Sequence, residues 1–248
     1  MMKRFLALAF FVSSASSLTQ NDSDCVREYL HTHEFLGSTE LPNSVEYEDT
    51  LSIDNKRVIV NPALVLVPIN EKDVSVAVDA TRSCGLSFSV LSGGHSAAGY
   101  CLSQDGVTLN IRDRMNGVEL LADNAIGGTV RVESGALWKH IYDVTNTTDF
   151  LPVGGGCTTV GSGFLLGGGW SFLSRSYGLG SDNVISFRMV LANGTIVTAS
   201  KEENEDIFWT LGAGGGNANN NNNTTSTAKS HAIDVCNCFY LSQVTLES

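Results

Sequence analysis

Positive charge and long apolar runs are both scarce in this chain of 248 residues. Lysine and arginine total 15 against 26 aspartates and glutamates, which gives a formal net charge of -11. Such a balance repels phosphate backbones and anionic lipid surfaces, so no nucleic-acid partner is expected. No segment approaches the ~20 apolar residues that a membrane helix needs, and no membrane partner is expected either.

The first 17 residues have the pattern of a secretory signal peptide. Lys3 and Arg4 precede an apolar core from Phe5 to Val12, and small residues follow up to Ser17. We therefore expect residues 1–17 to be removed and the protein to be secreted. In the secretory route disulfides form and Asn-x-Ser/Thr triplets accept glycans. Five asparagines head such triplets: Asn21, Asn146, Asn193, Asn222 and Asn223.

Local patterns predict an α+β fold. The run from Leu64 to Pro68 is typical of a short buried strand, and a helix capped by Asn70 follows and ends at Gly85. Further predicted elements are strands at 87–91, 107–111 and 129–133, helices at 136–144 and 202–211, and a hairpin that turns at Asn193-Gly194. This mixture favours antiparallel pairing in an α+β domain over a regular doubly wound sheet.

Residues 218–248 differ from the rest in composition. Asn219 to Asn223 are five consecutive asparagines, which predict a low-complexity tail with little to bury. The residues that follow could form one strand but are too few for a second domain. We therefore expect the ordered protein to end near Asn217.

Glycine is concentrated at two places that also carry reactive side chains. The stretch VLSGGHSAAGY, from Val90 to Tyr100, presents His95 behind a glycine pair, and VGGGCTTVGSGFLLGGGW, from Val153 to Trp170, contains Cys157 and eight glycines. Glycines let the backbone approach a ligand and direct N–H groups at anionic phosphates. The lysine of a phosphate loop and the third glycine of a dinucleotide fingerprint are missing. Taken alone, His95 also fits a turn residue and Cys157 a small buried filler.

Several spaced motifs occur together in a fixed order. They are LSGGHS (91–96), CTTVG (157–161), GGG (167–169), SRSYGL (174–179), DNV (182–184), ENEDIFW (203–209) and GGGN (214–217). In this order they resemble the motifs of berberine-bridge-enzyme-like FAD oxidases, which lie within the vanillyl-alcohol-oxidase-type flavoproteins. The resemblance implies an N-terminal segment at 18–57 and, at 58–217, a PCMH-type FAD-binding domain of two α+β lobes.

The resemblance also implies how the cofactor is held. FAD would be attached by two covalent bonds, from His95 to the flavin 8α-methyl carbon and from Cys157 to C6 of the ring. The other residues implied to bind the cofactor are Ser92, Gly93, Gly94, Ser96, Val160, Gly161, Gly163, Gly167, Gly168, Tyr177, Asp182 and Asn183. No metal site is implied. A disulfide between Cys25 and Cys84 is implied by the family's cysteine positions, whereas Cys101 is expected only to pack.

The chain departs from the family pattern at two kinds of place. Leu91 stands where the family usually has arginine, and after Asn217 we expect neither the Phe-Gly strand that closes the flavin lobe nor the substrate domain. Because that domain supplies the general base, no residue of this chain is assigned a catalytic role. Full-length relatives are implied to oxidise an alcohol or carbohydrate-like substrate with O2. The alternative is a non-catalytic, truncated FAD-binding fragment or an incomplete gene model.

Overall fold

The computed structural model describes residues 20–124, 127–212 and 235–245. The α-helices within these ranges are α1 (Gln20–Thr32), α2 (Val45–Leu51), α3 (Glu71–Ser83), α4 (Trp138–Thr145), α5 (Gly163–Leu166), α6 (Ser174–Tyr177) and α7 (Glu205–Leu211). The strands are β1 (Ser38–Glu40), β2 (Leu64–Val67), β3 (Phe88–Leu91), β4 (Val107–Asn110), β5 (Val118–Asn124), β6 (Gly127–Glu133), β7 (Phe150–Pro152), β8 (Val184–Val190), β9 (Ile196–Ser200) and β10 (Val235–Thr245).

The first lobe is built on a four-stranded sheet in the order β1-β2-β4-β3. β2, β4 and β3 are parallel, and β1 pairs antiparallel with β2. All four residues of β2 are buried, as in parallel sheets that are covered on both faces. The predicted helix start is confirmed, because the side chain of Asn70 accepts a hydrogen bond from the Asp73 N–H at 2.9 Å. Gly85 follows the helix with a φ of +69°.

The second lobe is an antiparallel sheet in the order β5-β6-β10-β8-β9, with β7 also paired to β10. Strand β10 therefore lies in the middle of the sheet between β6 and β8. β10 is the one strand that the residues after the asparagine tract could form, but the prediction that order ends near Asn217, and that no strand closes this lobe, is wrong for Val235–Thr245. The physical reason is that β6 and β8 each need a partner for their backbone hydrogen bonds, and β10 supplies both ladders.

The predicted hairpin joins β8 to β9. The Gly194 N–H donates to the Leu191 carbonyl at 2.9 Å, and the Leu191 N–H donates to the Thr195 carbonyl at 2.9 Å. Gly194 has a φ of +81°, the left-handed conformation that a three-residue hairpin loop needs after its turn. The hairpin prediction is confirmed.

The two lobes meet where α3 packs against this hairpin. Arg188 donates two hydrogen bonds to the Glu71 carboxylate, at 2.8 and 3.0 Å, and the Ser75 hydroxyl donates to the Gly194 carbonyl at 2.6 Å. Val190 of β8 is buried within the core of the first lobe. The lobes therefore share apolar contacts as well as an ion pair.

A disulfide ties the N-terminal helix to the first lobe. Cys25 in α1 is bonded to Cys84, the residue after α3, with the Cα atoms 6.0 Å apart. The pairing implied by the resemblance is confirmed. Val26 and Leu30 of α1 are buried against the same core as α3, so this helix packs on the first lobe through these two side chains.

Neither a membrane helix nor a metal cluster is found in the part of the chain that the structure describes. No helix there is long and apolar enough to cross a bilayer. No three or more histidine, cysteine, aspartate or glutamate side chains there are grouped to hold a metal ion. The reactive side chains of His95 and Cys157 lie where the glycine-rich segments of the two lobes meet.

Candidate functional site

His95 lies in a turn directly after the carboxyl end of the parallel strand β3. Gly94 has a φ of +73°, a conformation that glycine adopts without strain, and its carbonyl accepts from the Asp54 N–H at 3.1 Å. The Asn55 side-chain amide donates to the Ala97 carbonyl at 2.7 Å. The segment after α2 thus holds this turn from one side and leaves the His95 ring only partly shielded, 25% exposed.

Cys157 lies on the glycine-rich segment that α4 holds in place. The first N–H groups of α4 donate to this segment, from Trp138 to the Val160 carbonyl at 3.0 Å and from Lys139 to the Thr158 carbonyl at 2.8 Å. The Tyr142 hydroxyl donates to the Gly155 carbonyl at 2.8 Å, and burial raises the pKa of that hydroxyl. Because helix N-termini leave N–H groups unpaired within the helix, these carbonyls stabilise α4 as well as the segment.

The two glycine-rich segments touch each other through their backbones. A Cβ placed on Gly93 would collide with the backbone nitrogen of Gly161, and one placed on Gly161 would collide with the Ser92 hydroxyl. Ser92 also donates to the Ser134 carbonyl at 2.6 Å, and the Ser162 hydroxyl contacts Ser92 at 3.3 Å. The close approach therefore requires glycine at both 93 and 161.

This contact brings His95 and Cys157 to one hydroxyl group. His95 Nε2 lies 2.9 Å from Thr159 Oγ1, and Cys157 Sγ lies 3.4 Å from the same oxygen. Together the two contacts limit the separation of Nε2 and Sγ to about 6.3 Å. On the other side of the ring, His95 Nδ1 lies 3.8 Å from Asp54 Oδ2, a distance suited to an ion pair when the imidazole is protonated.

The two unpaired cysteines described have opposite environments. The pKa of the Cys157 thiol is lowered, first because the Thr159 hydroxyl bonds the sulfur and then because the backbone N–H groups of Thr159 and Val160 do. Cys157 is exposed. Burial raises the pKa of the Cys101 thiol, which is shielded from solvent as expected for a packed side chain. Cys157 is therefore the more nucleophilic of these two thiols.

The site offers backbone donors suited to a phosphate-bearing cofactor. Among the described residues, the N–H groups of Gly93, Gly94 and His95 have no hydrogen-bond acceptor. The Ser134 hydroxyl, whose own backbone carbonyl accepts from Ser92, is buried and also lacks a partner within the described part of the chain. A Cβ on Gly163 would meet open space. Unpaired donors on a glycine backbone fit the anionic part of FAD.

The remaining predicted site residues, at 177–183, form hydrogen bonds that hold the turns next to the glycines at 167–169. The Asp182 carboxylate accepts from the Leu179 N–H at 2.8 Å, and the Asn183 amide donates to the Tyr177 carbonyl at 3.0 Å. The Ser181 N–H donates to the Gly168 carbonyl at 3.0 Å, and the neighbouring Gly167 is exposed. These contacts fix the path of the glycine segment, while the approach of Tyr177, Asp182 and Asn183 to a cofactor stays a prediction.

Sequence reasoning missed two residues at the centre of the site. Asp54 lies in a polar stretch without periodicity, and no signal in the sequence connects it to His95. Thr159 is inside the CTTVG motif, but the sequence gives no reason to prefer it over the adjacent Thr158. The motifs thus identify the right segments, whereas the shared Thr159 hydroxyl emerges only from the fold.

A parallel strand is followed by a turn with a partly shielded histidine, and this turn lies against a glycine-rich segment of an antiparallel lobe. This arrangement is that of a flavoprotein of the PCMH type. The sequence profile described as FAD binding domain matches residues 62–200, which is more than half of the chain. The chain belongs to this FAD-binding family.

Two curated relatives illustrate the range of the family. The bifunctional solanapyrone synthase of Alternaria solani is 39% identical over 154 residues, 62% of this chain and 29% of the relative. Berberine bridge enzyme-like 18 of Arabidopsis thaliana is 34% identical over 210 residues, 80% of this chain and 37% of the relative. The chain therefore spans only about a third of the length of these relatives.

Solved structures agree with the fold. A xylooligosaccharide oxidase of Myceliophthora thermophila, determined in complex with xylobiose, is 29% identical with a TM-score of 0.74, covering 89% of this chain and 43% of the oxidase. A glucooligosaccharide oxidase of Acremonium strictum, whose crystal structure reveals a novel flavinylation, is 25% identical with a TM-score of 0.73, covering 89% and 42%. Both similarities extend over most of the described residues.

Proposed function

We propose that this chain is the flavin-binding part of a secreted oxidase and holds FAD through bonds from both His95 and Cys157. The observation that carries the proposal is that both side chains reach Thr159 Oγ1, from opposite lobes. The two attachment points lie on one ring of the flavin, and two nucleophiles within about 6.3 Å of each other suit such a target. The flavinylation reported for the glucooligosaccharide oxidase supports covalent attachment.

Each group of residues has a separate role in this proposal. The unpaired N–H groups of Gly93 and Gly94 would bind the anionic part of the cofactor. Since Thr159 contacts Nε2 at 2.9 Å and Asp54 lies farther from Nδ1, at 3.8 Å, Nδ1 is the His95 nitrogen that would bond the flavin. When bound, the flavin would accept hydride from an alcohol or carbohydrate-like substrate and pass the electrons to O2.

The export of the protein is part of the same proposal. The Cys25–Cys84 disulfide is typical of an oxidising compartment, and it agrees with the signal-peptide pattern at 1–17 and with glycans on some of the Asn-x-Ser/Thr triplets. Comparing the N-terminus and mass of protein collected from the culture medium, before and after removal of glycans, tests this part. Protein that stays inside the cell with Met1 intact contradicts it.

Covalent attachment is tested by denaturing the purified protein, precipitating it and measuring flavin in the pellet. We expect the flavin to stay with the protein, and His95→Ala and Cys157→Ala each to retain one bond. The double variant should release all of its flavin into the supernatant. His31→Ala and Cys101→Ala are the matched controls and should keep the wild-type result. Complete release of flavin from the unaltered protein contradicts the proposal.

A second candidate is favoured by the openness of the site. Cys157, Thr158, Thr159 and Gly163 are all exposed, and no described side chain lies over them as a substrate-positioning group. The chain would then bind flavin without rapid turnover, because positioning alone can supply ~7 kcal/mol or more of rate acceleration. Peroxide release from the 248-residue chain with sugars and benzylic alcohols decides between the candidates. Turnover on the order of 1 per second or faster favours the oxidase.

A further inference from the structure

The hydroxyl of Thr159 is placed to act on both attachment residues. It contacts His95 Nε2 at 2.9 Å and Cys157 Sγ at 3.4 Å. A threonine hydroxyl has one proton to donate and two lone pairs that accept. It therefore cannot donate to both neighbours at once. If it donates to one of them, it must accept a hydrogen bond from the other.

When Cys157 is deprotonated, its thiolate decides that direction. A thiolate has no proton and only accepts, so it takes the single proton of Thr159. The oxygen then has only lone pairs to offer His95, and Nε2 must carry the hydrogen that is donated to them. In neutral imidazole the other nitrogen, Nδ1, is left with the lone pair.

We propose that Thr159 is a positioning residue that sets the reactive state of both attachment residues: its proton stabilises the Cys157 thiolate, and its lone pair holds His95 as the tautomer whose Nδ1 is the nucleophile. This inference rests on the proposed covalent attachment of FAD, but its tests do not require flavin. The lowered pKa of Cys157, with the Thr159 hydroxyl as its largest cause, agrees with it.

The charge of Asp54 works against this arrangement, so the Thr159 hydroxyl has to outweigh it. The Asp54 carboxylate lies 3.8 Å from His95 Nδ1, where it favours a hydrogen on that nitrogen, and it raises the pKa of the Cys157 thiol, against the effect of Thr159. His95 reaches the sulfur through Thr159. Since Cys157 and Thr159 are exposed, water competes for the same contacts and the effect of the hydroxyl is modest.

The thiol is tested by the rate of Cys157 alkylation across pH in the full chain prepared without flavin. The thiolate displaces iodide from iodoacetamide and forms a sulfur–carbon bond, so the rate follows the thiolate fraction. Thr159→Val removes the hydroxyl and keeps the shape. We expect alkylation near neutral pH to slow about three- to tenfold, the range of one modest hydrogen bond, and the midpoint to move to higher pH.

Two further variants separate the hydroxyl from the fold. Thr159→Ser keeps a hydroxyl and should retain most of the wild-type rate. Thr158→Val is the matched control, because Thr158 is the exposed neighbour whose backbone carbonyl, rather than side chain, is used by α4. Peptide-level mass spectrometry separates Cys157 from the other cysteines. An unchanged pH profile in Thr159→Val overturns the proposal.

The tautomer is tested by the ¹⁵N chemical shifts of the His95 ring, measured above the alkylation midpoint of Cys157. We expect the hydrogen on Nε2 in the wild type and in Thr159→Ser, and a mixture of tautomers in Thr159→Val. A hydrogen on Nδ1 in the wild type overturns the proposal, and so does the same tautomer in Thr159→Val as in the wild type. If these shifts behave as expected but flavin never attaches, the proposed function fails while this inference stands.

Discussion

The first lobe is closed by neighbours in sequence, whereas the second is closed by a distant strand. β2, α3, β3 and β4 follow one another within residues 64–110, and a disulfide fastens α1 to them. In the second sheet, β10 is inserted between β6 and β8 although it begins only at Val235. The local lobe is therefore built from short-range signals, and the other depends on a long-range pairing that the local pattern does not encode.

The two residues proposed to attach the flavin differ in a similar way. His95 belongs to the first lobe and is partly shielded near Asp54, while Cys157 belongs to the second lobe and is exposed on a segment held by α4. Each lobe presents one nucleophile. Since they meet at Thr159, loosening either lobe should disturb the site from one side only.

The largest effect on stability is expected from removing the disulfide of the first lobe. Replacing Cys25 and Cys84 together by alanine frees the loop between them and should lower the free energy of unfolding by about 4 kcal/mol in the chain-entropy model. Denaturant unfolding under non-reducing conditions measures the loss. Cys101→Ala is the control and should cost less, because that thiol is unpaired. Equal stability of the double variant and the wild type contradicts the assigned pairing.

A proline in β10 tests the second lobe in the same way. Phe239 is paired with Val132 of β6 and with Phe187 of β8, so Phe239→Pro removes a ladder donor at the centre of the sheet. We expect a loss of ~1–3 kcal/mol, because the carbonyl that faces residue 239 is left without its donor. Hydrogen exchange should speed up in β6 and β8 before it does in β2 and β4. If protection from hydrogen exchange falls equally in both lobes, the second lobe does not depend on β10 more than the first does.

The smallest effect is expected at the ion pair between the lobes. The Arg188 hydrogen bonds lower the pKa of Glu71, so this carboxylate contributes stability above its unfolded-state pKa that is lost as the pH falls through the folded-state pKa. Glu71→Gln should cost about 0.5–1 kcal/mol at neutral pH, a value reduced for solvent screening, and nothing in acid.

The more exposed pair of Glu34 and Lys72 provides a matched control for Glu71→Gln. Glu34→Gln should change the stability less, because water screens both partners more strongly. Urea unfolding from neutral to acidic pH compares the two variants. If they show the same pH dependence, the contact between the lobes is no stronger than a surface pair.

Sequence reasoning succeeds where a local physical signal decides the structure. The apolar run at Leu64, the Asn70 cap and the glycine of the Asn193-Gly194 turn all act within a few residues, and the structure contains each element. Motif order likewise identifies the two glycine-rich segments of the site. These signals need no knowledge of distant partners.

The placements that escaped prediction depend on contacts between distant residues. β10 follows an asparagine tract, and only its pairing with β6 and β8 gives it a place in the sheet. Asp54 approaches His95 because its N–H bonds the Gly94 carbonyl, which no periodicity reveals. The same holds for the contact of the Thr159 hydroxyl with His95, which forms only once the two lobes are assembled.

The central claim is that the two lobes hold one flavin between them, and a cross-linked peptide tests it most directly. Digestion of the flavin-loaded protein followed by mass spectrometry should yield a single flavin that joins the peptide containing His95 to the peptide containing Cys157. Two separate peptides that each carry their own flavin, or both peptides free of flavin, would contradict the account.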